Sequence, residues 1–156
     1  MKPTRTAVLV KPDGLQRGLI GEIINRFEKK GLKLVGMKMT VLNDDMLNRW
    51  YSEHQAKDFF SALKEFMGSQ PIVAMVWEGI DAVPVVRKLV GTTLGREAEA
   101  GSIRGDFGMS QQFNLIHASS EDDAAQNEIK IVFGDDELFN YSWPMGDLVY
   151  AAHERD

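Results

Sequence analysis

Apolar positions along the chain change period several times, and each change marks an element. Thr6-Ala7-Val8-Leu9-Val10 is a short, mainly apolar run closed by Lys11-Pro12-Asp13-Gly14. Turn chemistry after such a run predicts a strand buried on both faces, with Lys11 standing at its end. Ile20, Ile23, Ile24 and Phe27 follow i, i+3, i+4, i+7, and Lys29-Lys30-Gly31 supplies a helix stop. From Lys33 to Val41 the period becomes two, with Val35, Met37, Met39 and Val41 on one side of a second strand. Asn43 can cap a helix whose Leu47, Trp50, Tyr51 and His54 share a face, and Phe59, Phe60, Leu63, Phe66 and Met67 repeat at helical intervals. The two patterns predict a helical hairpin. Ile72 to Trp77 is apolar throughout and reads as a central strand; Asp81 then opens a helix with Pro84 in its first turn and Val83, Val86 and Val90 on one side.

The stretch from Gly91 to Phe113 holds Gly91, Gly95, Gly101, Gly105 and Gly108 without a sustained period. A loop of that length in a compact fold is usually a functional one. Asn114-Leu115-Ile116-His117 reads as a short strand, and Ser120-Glu121-Asp122-Asp123 as a capping box that opens a helix through Val132. His117 therefore falls at a strand-to-helix junction. The element order predicts an α+β fold, a ferredoxin-like split βαβ sandwich in which a four-stranded antiparallel sheet is covered by helices. The chain's 156 residues fit one domain, 1–156.

Composition narrows the function classes. Hydrophobic residues at 44% and charged residues at 26% exclude collagen-like, low-complexity and mainly disordered chains. With 18 Lys plus Arg against 23 Asp plus Glu, the formal charge is −5, a poor surface for nucleic acid or anionic lipid. Cysteine is absent, which removes disulfides, thiolate metal sites and cysteine nucleophiles and fits a reducing cytosol. The apolar stretch before Lys11 is too short for a signal-peptide core, and no run approaches membrane-spanning length. The expectation is a cytoplasmic protein with no nucleic-acid or membrane partner.

Against this acidic background, Lys11, Arg87 and Arg104 stand at element ends or in the glycine-rich loop, where they could gather around a phosphorylated ligand. Each taken alone also fits an ordinary surface cation. Gly31 to Gly36 has the spacing of the first part of a phosphate-binding loop, but Met37-Lys38-Met39 follows in place of Gly-Lys-Ser/Thr, so any nucleotide is held differently. Of the three histidines, His153 lies in the polar tail and His54 on a helical face, whereas His117 has Ser119 beside it and Glu128 on the following helix. A neutral imidazole attacks phosphorus when an acceptor holds its other nitrogen, and Glu128 fits that part. A structural or metal-ligand role also suits His117 in isolation, although no second His or Cys lies at metal-binding spacing. Tyr51 and Phe59 fit core aromatics; Phe59 alternatively fits a platform for a nucleobase, which reads a π-face and so tolerates many bases.

Taken together, the residues resemble the nucleoside diphosphate kinase family over roughly Thr4 to Leu138. The resemblance rests on Val10-Lys11-Pro12-Asp13-Gly14 with Gln16-Arg17-Gly18-Leu19-Ile20-Gly21, on Tyr51…His54…Phe59-Phe60, on Arg87…Gly91…Thr93, on Ile103-Arg104-Gly105-Asp106-Phe107, and on Asn114-Leu115-Ile116-His117-Ala118-Ser119, all in family order. It implies a ping-pong enzyme in which His117 takes the γ-phosphoryl of a nucleoside triphosphate, typically ATP, and passes it to a nucleoside diphosphate. By the same resemblance Lys11 and Asn114 bind ribose hydroxyls, with Lys11 also near the transferred group. Arg87, Thr93 and Arg104 hold phosphates, Phe59 covers the base, and Tyr51 lies near the γ-phosphoryl. Ser119 and Glu128 orient and polarise the imidazole. Mg²⁺ is implied as a cofactor carried by the nucleotide phosphates rather than by protein side chains.

The resemblance further implies a homo-hexamer, with a tetramer as the alternative; the 139–156 extension lies outside the match, and its Tyr141, Trp143 and Tyr150 give the expectation that it packs at a subunit interface. The competing reading is an inactive relative that serves as a nucleotide-binding module; the presence of Lys11, Asn114, His117, Ser119 and Glu128 speaks against it. Three places depart from the family's commoner pattern. Ser120 stands where Asp is usual, Phe113 where Arg often precedes the Asn, and Leu94-Gly95 where Asn-Pro is frequent. None replaces a reacting group; they bear on the rigidity of the loop and on subunit contacts.

Overall fold

In the computed structural model, residues 2–52 and 60–155 are described. His54 and Phe59 lie outside them. Four strands, β1 (Thr4–Val10), β2 (Lys33–Thr40), β3 (Ile72–Gly79) and β4 (Ile116–Ala118), form one sheet in the order β2-β3-β1-β4. Every neighbouring pair is antiparallel. Helix α2 (Ile20–Lys30) carries the chain from β1 past β3 to β2, and α5 (Ala82–Val90) carries it from β3 past β1 to β4. These two interleaved crossovers are the split βαβ arrangement predicted from element order.

Burial explains the strand patterns. One face of the sheet packs Val8, Val10, Met75 and Trp77 against Ile23 and Phe27 of α2 and Val86 and Val90 of α5. The other packs Ala7, Leu9, Ala74 and Val76 against Leu47 and Trp50 of α3 (Asp44–Trp50), Met67 of α4 (Phe60–Gly68), and Ile129 and Val132 of α7 (Asp122–Val132). A strand covered on both faces cannot alternate, so β1 and β3 read as continuous apolar runs. Removing one such side chain from water stabilises the fold by about 1.5–3 kcal/mol. Helix ends follow local chemistry as well. Asn43 Oδ1 accepts from Met46 N to start α3, and Gly31 at φ +93° stops α2 in a conformation that suits glycine.

The structure corrects several local expectations. The 11–14 segment is not a simple turn: Pro12 at the first position, with no N–H to lose, starts a short helix, α1 (Pro12–Gln16). In β2 the register shifts between Leu34 and Gly36, so Val35 faces the second core while Met37 and Met39 lie opposite Met75 and Val73 of the first. The bulge breaks the single face assigned to Val35, Met37, Met39 and Val41. Met37, Met39 and Val41 are exposed. The 91–113 loop contains helix α6 (Ile103–Phe107), capped by Ser102 Oγ, which accepts from Gly105 N. The capping box at Ser120 is absent; Glu121 occupies the N-cap of α7 without a side-chain cap bond. Strand β4 begins at Ile116, two residues later than expected.

Beyond Leu138 the chain returns along the sheet. Phe139 N donates to Val35 O and the Tyr141 hydroxyl to Leu34 O, on the outer side of β2. Two short helices, α8 (Gly146–Val149) and α9 (Ala152–Arg155), complete the tail. Ile80 N donates to the Tyr150 hydroxyl, tying the tail to the end of β3.

Candidate active site

His117 sits opposite Leu9 in the β1–β4 ladder, and Leu9 belongs to the core beneath α3 and α7. Side chains directly across a ladder share a face, so the imidazole leaves the sheet toward those helices. There its Nε2 lies 3.0 Å from Glu128 Oε1, one helix face along α7. The other carboxylate oxygen, Oε2, accepts from Ser119 Oγ at 2.6 Å. Ser119 Oγ in turn receives Ala7 N at 3.1 Å, so the fully buried serine fixes Glu128 to the central strand. A carboxylate is an acceptor, which makes Nε2 the protonated nitrogen and leaves a lone pair on Nδ1. Trp50 packs its ring against the imidazole at 5.1 Å between centroids and 73° between planes. The ring is thus held by a hydrogen bond and an aromatic wall, and its side chain keeps 22% exposure.

The backbone that delivers His117 is strained. Leu115 has φ +74°, and Ile116 N donates to Asn114 O at 2.9 Å, closing a three-residue turn. This positive-φ γ-turn is rare for a side chain larger than glycine and costs on the order of 1–3 kcal/mol. Surrounding groups hold it. Lys11 N donates to Leu115 O at 2.9 Å, and Leu115 N donates to Asp13 Oδ2 at 3.0 Å. Arg104 grips the flanks: its Nε donates to Asn114 O at 3.3 Å, its Nη2 to Ile116 O at 2.6 Å, and its Nη1 to Gly91 O at 3.0 Å. Asn114 Nδ2 donates to Thr93 O and Gln111 O, joining the turn to the long loop.

The cations expected from sequence converge on one cleft, which Lys11, Arg87 and Arg104 all line. Burial pushes Lys11 down to about 8, the Arg104 guanidinium pushes the same way, and Asp13 opposes both. Arg104 is lowered to about 10 by burial and by Arg87, again against Asp13. A cation that lowers its neighbour's pKa lies within Coulombic reach of it, so the site holds positive charge in excess of its partners. Burial, with a smaller contribution from Glu128, pushes the Tyr51 phenol up, keeping it a neutral hydroxyl.

All of this opens on a cleft of about 780 Å³. Lys11, Arg87, Thr93, Arg104 and Asn114 line it, as do Tyr51, His117 and Glu128; Ser119 stands behind Glu128. Phe59 falls outside the described residues. Two site residues escaped the sequence reading. Trp50 looked like one more core position on α3, and Asp13 like turn punctuation, although its place two residues after Lys11 was the available signal. Of the departures, Phe113 packs edge-on against Phe66 of α4 at 4.8 Å, tying the loop to the helical hairpin. A Cβ on Gly95 would meet the Gly108 backbone at 2.5 Å, so that position suits glycine by close approach. Ser120 is exposed at the cleft edge.

A cleft with this positive excess beside a carboxylate-held imidazole, at one end of a split βαβ sheet, belongs to a phosphotransferase. Known proteins specify which kind. A family model described as nucleoside diphosphate kinase matches residues 4–138, and the chain belongs to that family. It is 51% identical over 146 residues to a nucleoside diphosphate kinase of Archaeoglobus fulgidus, covering 94% of this chain and 97% of the relative. It is likewise 51% identical over 150 residues to one of Parabacteroides distasonis, covering 96% and 98%. Among solved structures, a halophilic nucleoside diphosphate kinase from Halobacterium salinarum in complex with CDP superposes with a TM-score of 0.92 at 47% identity, covering 94% of this chain and 98% of that one. The chain is a nucleoside diphosphate kinase, a transferase of nucleotide metabolism.

Proposed function

We propose that the transfer runs by a ping-pong route through His117. Nδ1 attacks the γ-phosphorus of a nucleoside triphosphate; the new P–N bond forms as the bond to the β-phosphate oxygen breaks, and the diphosphate leaves. A second diphosphate then attacks the phosphohistidine and departs as triphosphate, restoring the imidazole. The observation that carries this reading is the Glu128 contact at Nε2, which in the neutral imidazole puts the proton on Nε2 and the lone pair on Nδ1, beside a cleft lined by cations. Each half-reaction exchanges one high-energy phosphoryl bond for another, so the reaction is reversible.

The remaining side chains position and neutralise, which supplies most of the acceleration in phosphoryl transfer. Lys11 and Asn114 take the ribose hydroxyls, Lys11 reaching also toward the transferred group. Arg87, Thr93 and Arg104 hold phosphates, Arg104 with the N–H groups not committed to carbonyls. Tyr51 lies at the γ-phosphoryl, and Phe59 covers the base with little discrimination. The CDP held by the Halobacterium salinarum protein is in keeping with such a site. Mg²⁺ enters as part of the Mg-nucleotide substrate. Among the described residues no group of three or more His, Asp or Glu could hold a metal ion, and the Glu128 carboxylate is already engaged. The chain acts as one domain, 1–156, in the cytoplasm. It assembles as a homo-hexamer through its outward apolar groups, Met37, Met39, Val41, Phe139 and Leu148, which brings the tail to a subunit interface.

Mixing the protein with Mg-ATP alone tests the route. Intact mass is expected to show one acid-labile phosphoryl group in the wild type and none in a folded His117→Ala variant, whose turnover falls by on the order of 10⁴-fold or more. ATP retained by wild-type protein without any adduct would instead mark an inactive nucleotide-binding module.

A further inference from the structure

Among the described residues, Asp13 is a charged group bonded to the strained turn that the proposed chemistry leaves without a task. It lies in the first turn of α1, yet the N-cap of that helix takes no side-chain bond. Its Oδ2 reaches instead to a backbone N–H 102 residues along the chain, that of Leu115, at 3.0 Å. Leu115 is the central residue of the positive-φ turn, two residues before His117. Its carbonyl is held from the same segment, by Lys11 N. The close fit continues at Gly14, where a Cβ would stand 2.6 Å from Leu115 O. Both polar backbone groups of the strained residue are therefore engaged by positions 11–14, while Arg104 takes the carbonyls on either side.

We propose that Asp13 is a positioning residue: its carboxylate clamps the Leu115 amide and so fixes the backbone from which the His117 imidazole is aimed. The inference rests on His117 as the phosphoryl acceptor. Without the clamp the Leu115 amide is free to turn and φ relaxes toward negative values. Rotation there swings Ile116 and His117, which follow it, more than Asn114, which is held separately by Thr93 and Gln111. A displacement of the order of 1 Å at a reacting nitrogen costs about 100-fold in rate. The carboxylate also faces Lys11 and Arg104 and supports the charge of both, so hydrogen bonding and charge have to be separated by experiment.

Asp13→Ala removes both contributions, whereas Asp13→Asn keeps an oxygen able to accept from Leu115 N and removes the charge. Phosphoenzyme formation from Mg-ATP is followed by rapid quench on folded protein, with ADP affinity measured by calorimetry. The expected result is a fall of about 100-fold in the rate for Asp13→Ala, a far smaller change in ADP affinity, and recovery of most of the rate in Asp13→Asn. Asp13→Ser, whose hydroxyl stops short of the Leu115 amide, serves in place of an alanine variant that does not fold and is expected to be similarly slow. A wild-type rate per folded molecule in Asp13→Ala or Asp13→Ser overturns the proposal, as does an Asp13→Asn protein as slow as either. Wild-type protein that forms no phosphohistidine would overturn the underlying reading too, and that failure is visible before any Asp13 variant is made.

Discussion

Burial and the adjacent Arg104 hold Lys11 near 8 against an ordinary value of 10.5, and this gives the site a pH dependence of definite sign. Below about pH 8 the ammonium is charged and complements a polyphosphate. As pH rises through that value it loses its proton, so nucleotide affinity is expected to fall on the alkaline side. Stability moves the opposite way. Between about 8 and 10.5 the unfolded chain binds a proton that the native chain lacks, so this group's contribution to stability increases with pH. The check is KM for ADP across pH 7 to 10, roughly the titration range of the group. The wild type is expected to weaken above about pH 8, while Lys11→Arg, whose charge persists, stays flat until Arg104 begins to titrate toward about 10. At this scale the contact between His117 and Glu128 was legible because the two lie within one strand-turn-helix. Asp13 and Trp50 were not, because their partners arrive from distant parts of the chain.

Among the elements, α6 shows how a short helix in a glycine-rich loop serves the site. Its five residues are too few to be stable alone, so outside contacts hold it. Ser102 Oγ accepts from Gly105 N and donates to Glu99 O. Arg26 of α2 pairs with Asp106 at 2.7 Å and lies over the Phe107 ring. The hydrogen bond from Gly101 N, then Arg26, keeps the Asp106 carboxyl below its usual range. Because α6 carries Arg104, Ser102→Ala is expected to lower stability by about 1 kcal/mol and to weaken nucleotide binding along with it. Denaturant unfolding and ADP titration measure the two effects. Periodicity gave no sign of α6, since five residues make little more than one turn. Nor did it reveal the β2 bulge, where one added residue reverses which side of the sheet Met37 and Met39 occupy.

On the scale of the molecule, the sheet has an outer edge at β2, and its exposure is uneven. The tail covers the Leu34–Val35 end through Phe139 and Tyr141, and Lys33 Nζ lies 4.5 Å from the Tyr141 ring centroid. Farther along, Met37, Met39 and Val41 face outward. An open apolar edge invites another strand or subunit. Deleting 139–156 is expected to lower the particle mass measured by light scattering, because it removes Phe139 and Leu148, two of the outward apolar groups through which the proposed assembly forms. An unchanged mass would detach the tail from the assembly.

The order of the four strands and the larger helices and the strands buried on both faces followed from periodicity in the sequence. The family followed from a resemblance carried by several separate motifs, and the pairing of His117 with Glu128 from their closeness along the chain. Tertiary structure alone decided that Lys11, Arg87 and Arg104 line a single cleft, that Asp13 reaches Leu115, and that Arg104 donates to three carbonyls. Those contacts join residues far apart in sequence. A local pattern fixes which way a side chain leaves its own element, but only packing of the whole sheet fixes which other side chain it meets.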